Sequence, residues 1–96
     1  MSTRQIFLVL SLFLPTIGCG HPASKAECEE IFRRSAEIEL RKRNITDAKQ
    51  IASRVREARE ARGDSVKNCV GKRITQSAME CVRSAKTSEE LDGCLD

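Results

Sequence analysis

The sequence predicts an all-α protein: a small bundle of three to four helices, stapled by disulfides, that follows a cleaved signal peptide. Apolar residues beyond position 24 recur at helical spacing, and no stretch alternates as a strand would. Ser24 with Glu27 and Thr87 with Glu90 have the spacing of a helix capping box, Ser or Thr three residues before Glu. The 96 residues include five Cys and three Phe but no Trp or Tyr, so the core is small and needs covalent support.

Residues 1–18 have the layout of a signal peptide. Arg4 supplies a basic start, Ile6–Leu14 is apolar except for Ser11, and Pro15 ends the apolar run. As a helix this run would span roughly 14 Å, whereas the hydrocarbon core of a bilayer is roughly 30 Å thick. We therefore predict that the segment is removed and does not remain as a transmembrane helix.

The segment ends in Thr16-Ile17-Gly18-Cys19. This tetrad resembles a bacterial lipobox, although Thr16 stands where Leu is usual. The resemblance implies that Cys19 becomes the first mature residue, with a diacylglycerol on its sulfur and a palmitate-type acyl chain on its amine. Several acyl chains, at about 0.8 kcal/mol per buried CH₂, would make attachment to the membrane permanent. The alternative is ordinary secretory cleavage near Gly18 or Ala23, which would release a soluble protein.

These features predict an exported protein that is lipid-anchored to a bacterial membrane. In enteric-type sorting, a residue other than Asp after the lipidated Cys favours the outer membrane, and Gly20 follows Cys19 here. The domain would face the periplasm or the cell surface. We assign residues 19–23 to the lipidated N-terminus and a short tether, and residues 24–96 to a helical domain.

The first helix is predicted to begin at the capping box Ser24…Glu27 and to end near Asn44, which can adopt the left-handed conformation of a helix C-cap. A second helix starts at Thr46-Asp47, and Gly63-Asp64 bends or ends it. Its apolar stripe resumes further on and stops near Gly71. The residues predicted to form the inner faces of these helices are Cys28, Ile31, Phe32, Ser35, Ile38, Ala48, Ile51, Ala52, Val55, Ala58, Val66, Cys69 and Val70.

Two shorter helices complete the predicted bundle. Thr75 caps the first of them, and the second capping box, Thr87…Glu90, begins the last. Their predicted inner faces consist of Ala78, Cys81, Val82, Ala85, Leu91, Cys94 and Leu95.

The cysteine count agrees with lipidation of Cys19. If Cys19 is acylated, Cys28, Cys69, Cys81 and Cys94 remain, and an even set in an oxidising compartment predicts two disulfides. A four-Cys zinc site is disfavoured because the chain has no C-x-x-C and no pair of His residues.

Three pairings of these four cysteines are possible, and we predict Cys28–Cys81 with Cys69–Cys94. The prediction assumes antiparallel hairpins that turn near residues 44–45, 72–73 and 87–88. On that geometry Cys28 and Cys69 are offset by about 11 Å along the helix axis, whereas Cys28 and Cys81 differ by about 5 Å. The pairing Cys28–Cys94 with Cys69–Cys81 agrees with this geometry equally well.

The mature part, with one early Cys and three late Cys at nearly equal spacing, resembles small four-cysteine helical lipoproteins of bacteria. Their functions are unassigned, so the resemblance implies architecture and location only.

The sequence contains little that indicates catalysis. His21 is the only His, it lies in the predicted tether, and we interpret it as a solvated linker residue. No phosphate-binding loop, nucleophile elbow or zinc-protease motif is present, so we predict no enzyme activity, no cofactor and no metal. Nucleic acid is disfavoured as a partner, because acids interleave with the many arginines and aromatic stacking residues are few.

We therefore expect a structural or protein-interaction module of the cell envelope. Its predicted partners are the lipid bilayer, through acylated Cys19, and an envelope protein or an anionic polymer. A soluble periplasmic binding module is the alternative. A thiol oxidoreductase is least favoured because the chain lacks the C-x-x-C that usually supplies a reactive thiol.

Overall fold

The structure is a computed structural model that describes residues 20–96. The predicted signal peptide (1–18) and Cys19 lie outside the described residues. Within them the chain forms five helices and one short antiparallel strand pair, which confirms the predicted class of a small helical domain with two disulfides. The elements in chain order are β1 (His21–Pro22), α1 (Lys25–Lys42), α2 (Ala48–Ala61), α3 (Gly63–Cys69), β2 (Arg73–Ile74), α4 (Gln76–Ser84) and α5 (Ser88–Cys94).

Helix α1 begins and ends as the sequence predicts. Its capping box is complete: the Glu27 amide donates to Ser24 Oγ (3.1 Å), and the Ser24 amide donates to the Glu27 carboxylate (2.9 Å). At the other end Asn44 has φ 65°, and the Ile45 amide donates to the Leu40 carbonyl (3.0 Å). This 6→1 hydrogen bond is that of a Schellman motif, which ends the helix and leads the chain toward α2.

The predicted second helix is divided into α2 and α3. Asp47 caps α2 through a hydrogen bond from the Gln50 amide (2.9 Å). Arg62 then leaves the helical region, with φ −122° and ψ 37°, and Gly63 opens α3. The break confirms that Gly63-Asp64 interrupts the helix, and it gives α3 a direction of its own.

Side-chain caps also start α4 and α5. Thr75 Oγ1 accepts the Ala78 amide (3.0 Å), and Thr87 Oγ1 accepts the Glu90 amide (3.1 Å). The second capping box differs in one detail from the prediction. The Glu90 carboxylate accepts the amide of Lys86 (2.8 Å), one residue before Thr87.

Helix α1 packs against α2, α3, α4 and α5 and separates two small groups of buried residues. Met79 and Val82, on α4, are completely buried and lie one in each group. Ile31 on α1 contacts both groups, so the two groups are adjacent parts of one core. Its buried members are Ala23, Cys28, Val66, Ile74 and Met79 on one side, and Ile38, Val82, Ala85 and Leu91 on the other.

The predicted disulfide pairing is wrong. Cys28 is joined to Cys69, with Cα atoms 5.9 Å apart, and Cys81 is joined to Cys94, with Cα atoms 5.6 Å apart. The error follows from the assumption that one straight helix runs to residue 70. Because the helix breaks at Arg62, α3 is a separate helix that packs against α1, and its last residue, Cys69, lies next to Cys28.

The sequence also failed to indicate the strand pair. His21 lies opposite Ile74 and Pro22 opposite Arg73 in an antiparallel bridge. Strands of two residues are too short to produce the alternation by which a strand is recognised.

Candidate functional site

The segment next to the predicted lipidation site is part of the folded domain. The Ala23 amide donates to the Lys72 carbonyl (2.7 Å), and the Gly71 amide donates to the Ala23 carbonyl (2.9 Å). Ala23 is itself buried in the core. Residues 20–23, which we expected to belong to a short tether, are therefore part of the folded domain.

Gly20 occupies a position that favours glycine. Its φ is +69°, in the left-handed region that other residues rarely adopt. A Cβ at this position would lie 2.9 Å from the carbonyl carbon of Ile74 and 3.3 Å from Cγ2 of Thr75. Gly20 thus permits close contact between the segment that leads into β1 and the backbone of β2.

His21 is a partly buried residue with a partner, so its interpretation as a solvated linker residue is wrong. Its Nε2 lies 2.8 Å and 3.0 Å from the two carboxylate oxygens of Glu27. The Ser24 amide, and after it His21, lowers the pKa of the Glu27 carboxyl below its usual value, because both hydrogen bonds favour the ionised form. Glu27 therefore stabilises the start of α1 and fixes the strand before it.

A second feature is an open groove of about 920 Å³ between α1 and α2. No residue of α2 is fully buried, so α1 covers its apolar face only in part. Apolar side chains form the floor, and charged side chains from both helices form the rims. The groove is lined by Ala26, Glu29, Glu30, Phe32, Arg33, Glu37, Arg41, Ala48, Ile51, Ala52, Val55, Arg56 and Arg59.

One ion pair closes the groove at the end nearest the break between α2 and α3. Arg59 donates from Nε (2.8 Å) and Nη2 (2.5 Å) to the carboxylate of Glu29, in the bidentate geometry that suits the planar guanidinium. This hydrogen bonding lowers the pKa of Glu29 and raises that of Arg59. Among residues 20–96, Arg41 and Arg56 on the rims form no such pair.

Two arginines hold α4 to α1. Arg83 on α4 donates from Nε (2.7 Å) and Nη2 (3.0 Å) to Glu30, which lowers the pKa of Glu30 through hydrogen bonding to its ionised form. Arg34 donates from Nη2 to the Ala85 carbonyl (2.6 Å) at the end of α4. These contacts assign Arg34 and Arg83 to the packing of the helices.

The structure pairs all four cysteines that follow Cys19. Cys28 is 2% exposed, whereas Cys81 is exposed and Cys94 is half-buried. In the part of the chain that the structure describes, no three His, Cys, Asp or Glu side chains come together as a metal site would need.

None of the helices between residues 20 and 96 combines the length and the apolar character needed to cross a bilayer. No protein-family model matches the chain, and no curated protein or solved structure is significantly similar to it.

Proposed function

We propose that this protein is a non-enzymatic lipoprotein of the bacterial envelope, anchored through Cys19, that holds a helical module against the membrane surface. The observation that carries the proposal is the position of Gly20, which is folded onto β2 directly after the lipobox cysteine. Cα atoms of adjacent residues are about 3.8 Å apart. Acyl chains on Cys19 would therefore place the domain on the membrane without a spacer.

The cysteine pairing supports the same proposal. Of the five Cys in the chain, four form the two disulfides, so Cys19 is left to carry a thioether to lipid. Disulfides persist in oxidising compartments such as the periplasm, which agrees with export. With these four thiols oxidised, and Cys28 buried as well, the arrangement favours a structural over a redox role.

The intact mass of the protein from its native host, before and after reduction and alkylation, tests this function. We expect loss of residues 1–18, added mass that matches acyl chains on Cys19, and four thiols that appear only after reduction. A mass without lipid would favour the soluble periplasmic module, which should also fractionate without detergent. Thiols that react before reduction would favour an oxidoreductase.

The groove between α1 and α2 supports a protein-interaction role for the anchored module. An amphipathic helix can place its apolar face in such a groove, and Arg41 and Arg56 on the rims favour acidic flanks on that helix. A photoreactive amino acid in place of Val55, inside the groove, should capture an envelope protein in living cells. The matched control replaces exposed Glu57, which does not line the groove. Equal capture from both positions, or capture from neither, would refute this role. If the purified protein is instead retained on an anionic polymer, an anionic polymer replaces the envelope protein as the proposed partner.

A further inference from the structure

Residues 70–73, which connect α3 to β2 and include the first residue of β2, lie beside the proposed anchor. We call this segment the anchor-side turn. Arg73 Nη1 donates to the Gly20 carbonyl (3.3 Å), and the Lys72 carbonyl accepts the Ala23 amide (2.7 Å). The turn is thus held within one residue of Cys19 on one side and joined to the core on the other.

The side chains of this turn have the composition of a membrane contact. Lys72 and Arg73 are exposed, and neither forms an ion pair with an acid in residues 20–96. Val70 is 46% exposed, one of two large apolar residues in the described chain with so much surface in water. The other, Leu95, is 44% exposed and lies at the far end of the chain after α5.

The backbone of the turn is fixed, so its side chains have a defined direction relative to the anchor. The Lys72 amide donates to the Cys69 carbonyl (3.1 Å), and Gly71 adopts φ +90°. Cys69, which precedes the turn, is covalently joined to Cys28 on α1. Acyl chains that enter a bilayer from Cys19 would therefore bring the same turn to the headgroups.

We propose that the anchor-side turn is a second membrane contact, in which Lys72 and Arg73 bind anionic lipid headgroups and Val70 enters the interface. This inference rests on the proposed acylation of Cys19. Basic residues close to an anionic leaflet each strengthen binding about fivefold, so the pair would favour the docked orientation about 25-fold. Because the contact would fix the orientation of the domain, it would also hold the α1–α2 groove at one position relative to the membrane.

Fluorescence from a single introduced tryptophan tests the contact, because the chain has no Trp and no Tyr. The full chain with Val70→Trp is expressed with its signal peptide, purified in detergent and reconstituted in phosphatidylglycerol vesicles that contain brominated lipid. Leu95→Trp is the matched control, since its exposure is nearly equal. We expect blue-shifted emission and about threefold stronger quenching for Val70→Trp than for Leu95→Trp.

The charge contribution is tested in the same assay. Adding Lys72→Glu and Arg73→Glu to Val70→Trp, or replacing phosphatidylglycerol by phosphatidylcholine, should abolish the difference. Lys49→Glu with Arg54→Glu, at exposed positions of α2 outside the groove, should leave it unchanged. Equal quenching of the two tryptophan variants in a protein whose mass shows acylation would overturn this inference alone. A protein that carries no acyl chains would overturn the proposed anchor and this inference together.

Discussion

Removing the Cys28–Cys69 disulfide should destabilise the protein more than removing the Cys81–Cys94 disulfide. The first link closes a sequence separation of 41 and the second a separation of 13. The entropy of loop closure then gives about 3.9 kcal/mol for the first and about 2.9 kcal/mol for the second at 25 °C. Cys28 is also 2% exposed, so Cys28→Ala with Cys69→Ala leaves a small void that adds to the first figure.

Urea and thermal unfolding of the oxidised double-alanine variants measure these differences. For a domain of this size, a loss of 1 kcal/mol lowers the Tm by about 4–8 °C. We expect a decrease of about 12–24 °C for Cys81→Ala with Cys94→Ala, and a larger one for the other pair. Small domains have about 5–15 kcal/mol of stability, so the variant without Cys28–Cys69 should be close to the limit of folding.

A crossed variant distinguishes this connectivity from the predicted pairing of Cys28 with Cys81 and Cys69 with Cys94. Cys28→Ala with Cys81→Ala removes one partner from each disulfide and leaves Cys69 and Cys94 as free thiols. Alkylation should then add two labels without reduction, and the stability loss should approach the sum of both links, about 7 kcal/mol. If the crossed variant instead resists alkylation and unfolds cooperatively, Cys69 and Cys94 are natural partners and the reasoning from α3 is refuted.

Three further outcomes follow from the local geometry. In urea unfolding, Gly20→Ala should cost about 2–4 kcal/mol of stability, because strain in the left-handed region adds to the close contact with β2. Gly71→Ala, which has open space around it, should cost only the strain, about 1–2 kcal/mol. Gly93→Ala, in α5 and also unobstructed, should stabilise the protein by up to about 1 kcal/mol in the same assay. The folded-state pKa of Glu30 is lowered, so its contribution to the free energy of unfolding is complete above the unfolded pKa of about 4.3. That contribution is lost as the pH falls through the lower folded-state pKa. Glu30→Gln should therefore reduce the loss of Tm at acid pH, whereas Glu89→Gln, at an exposed position, should not.

The helix ends could be predicted because the interactions that define them are local. Each of four N-cap side chains accepts a hydrogen bond from the backbone amide three residues further on, so the cap and its donor are close together in the sequence. These N-cap residues are Ser24, Asp47, Thr75 and Thr87. Asn44 is likewise identified by its position after a basic final turn. These signals locate the starts of α1, α2, α4 and α5 before any tertiary contact is considered, whereas α3 begins without a side-chain cap.

The disulfide pairing could not be predicted because it depends on the direction of α3. The sequence indicates an interruption at Gly63, but a glycine there is compatible with a kink in the same direction or with a reversal. The packing of α3 against α1, which no local signal indicates, determines its direction after the break at Arg62. An axial offset calculated for a straight helix therefore excluded the correct partner of Cys28.

The docking of residues 20–23 was missed for a related reason. His21 and Pro22 contact residues more than fifty positions away, through two-residue strands that leave no periodic pattern. The only local indication was His21 six residues before Glu27, and this spacing matches no common motif. The residues closest to the proposed lipidation site were therefore the ones that the sequence described least well.

The position of the Cys28–Cys69 disulfide connects the stability of the fold to the residues that follow the proposed anchor, Cys19. α3 has seven residues, too few to remain helical without support, and it leads directly into the anchor-side turn. Cys69 holds the end of α3 against α1, and the turn that follows holds Ala23 and Gly20 through backbone and arginine hydrogen bonds. Reduction of this one bond would release the turn and with it the strand that follows Cys19. If Cys19 is acylated as proposed, the disulfide of the longer loop would also hold the domain in a fixed position on the membrane, while Cys81–Cys94 secures only the two final helices.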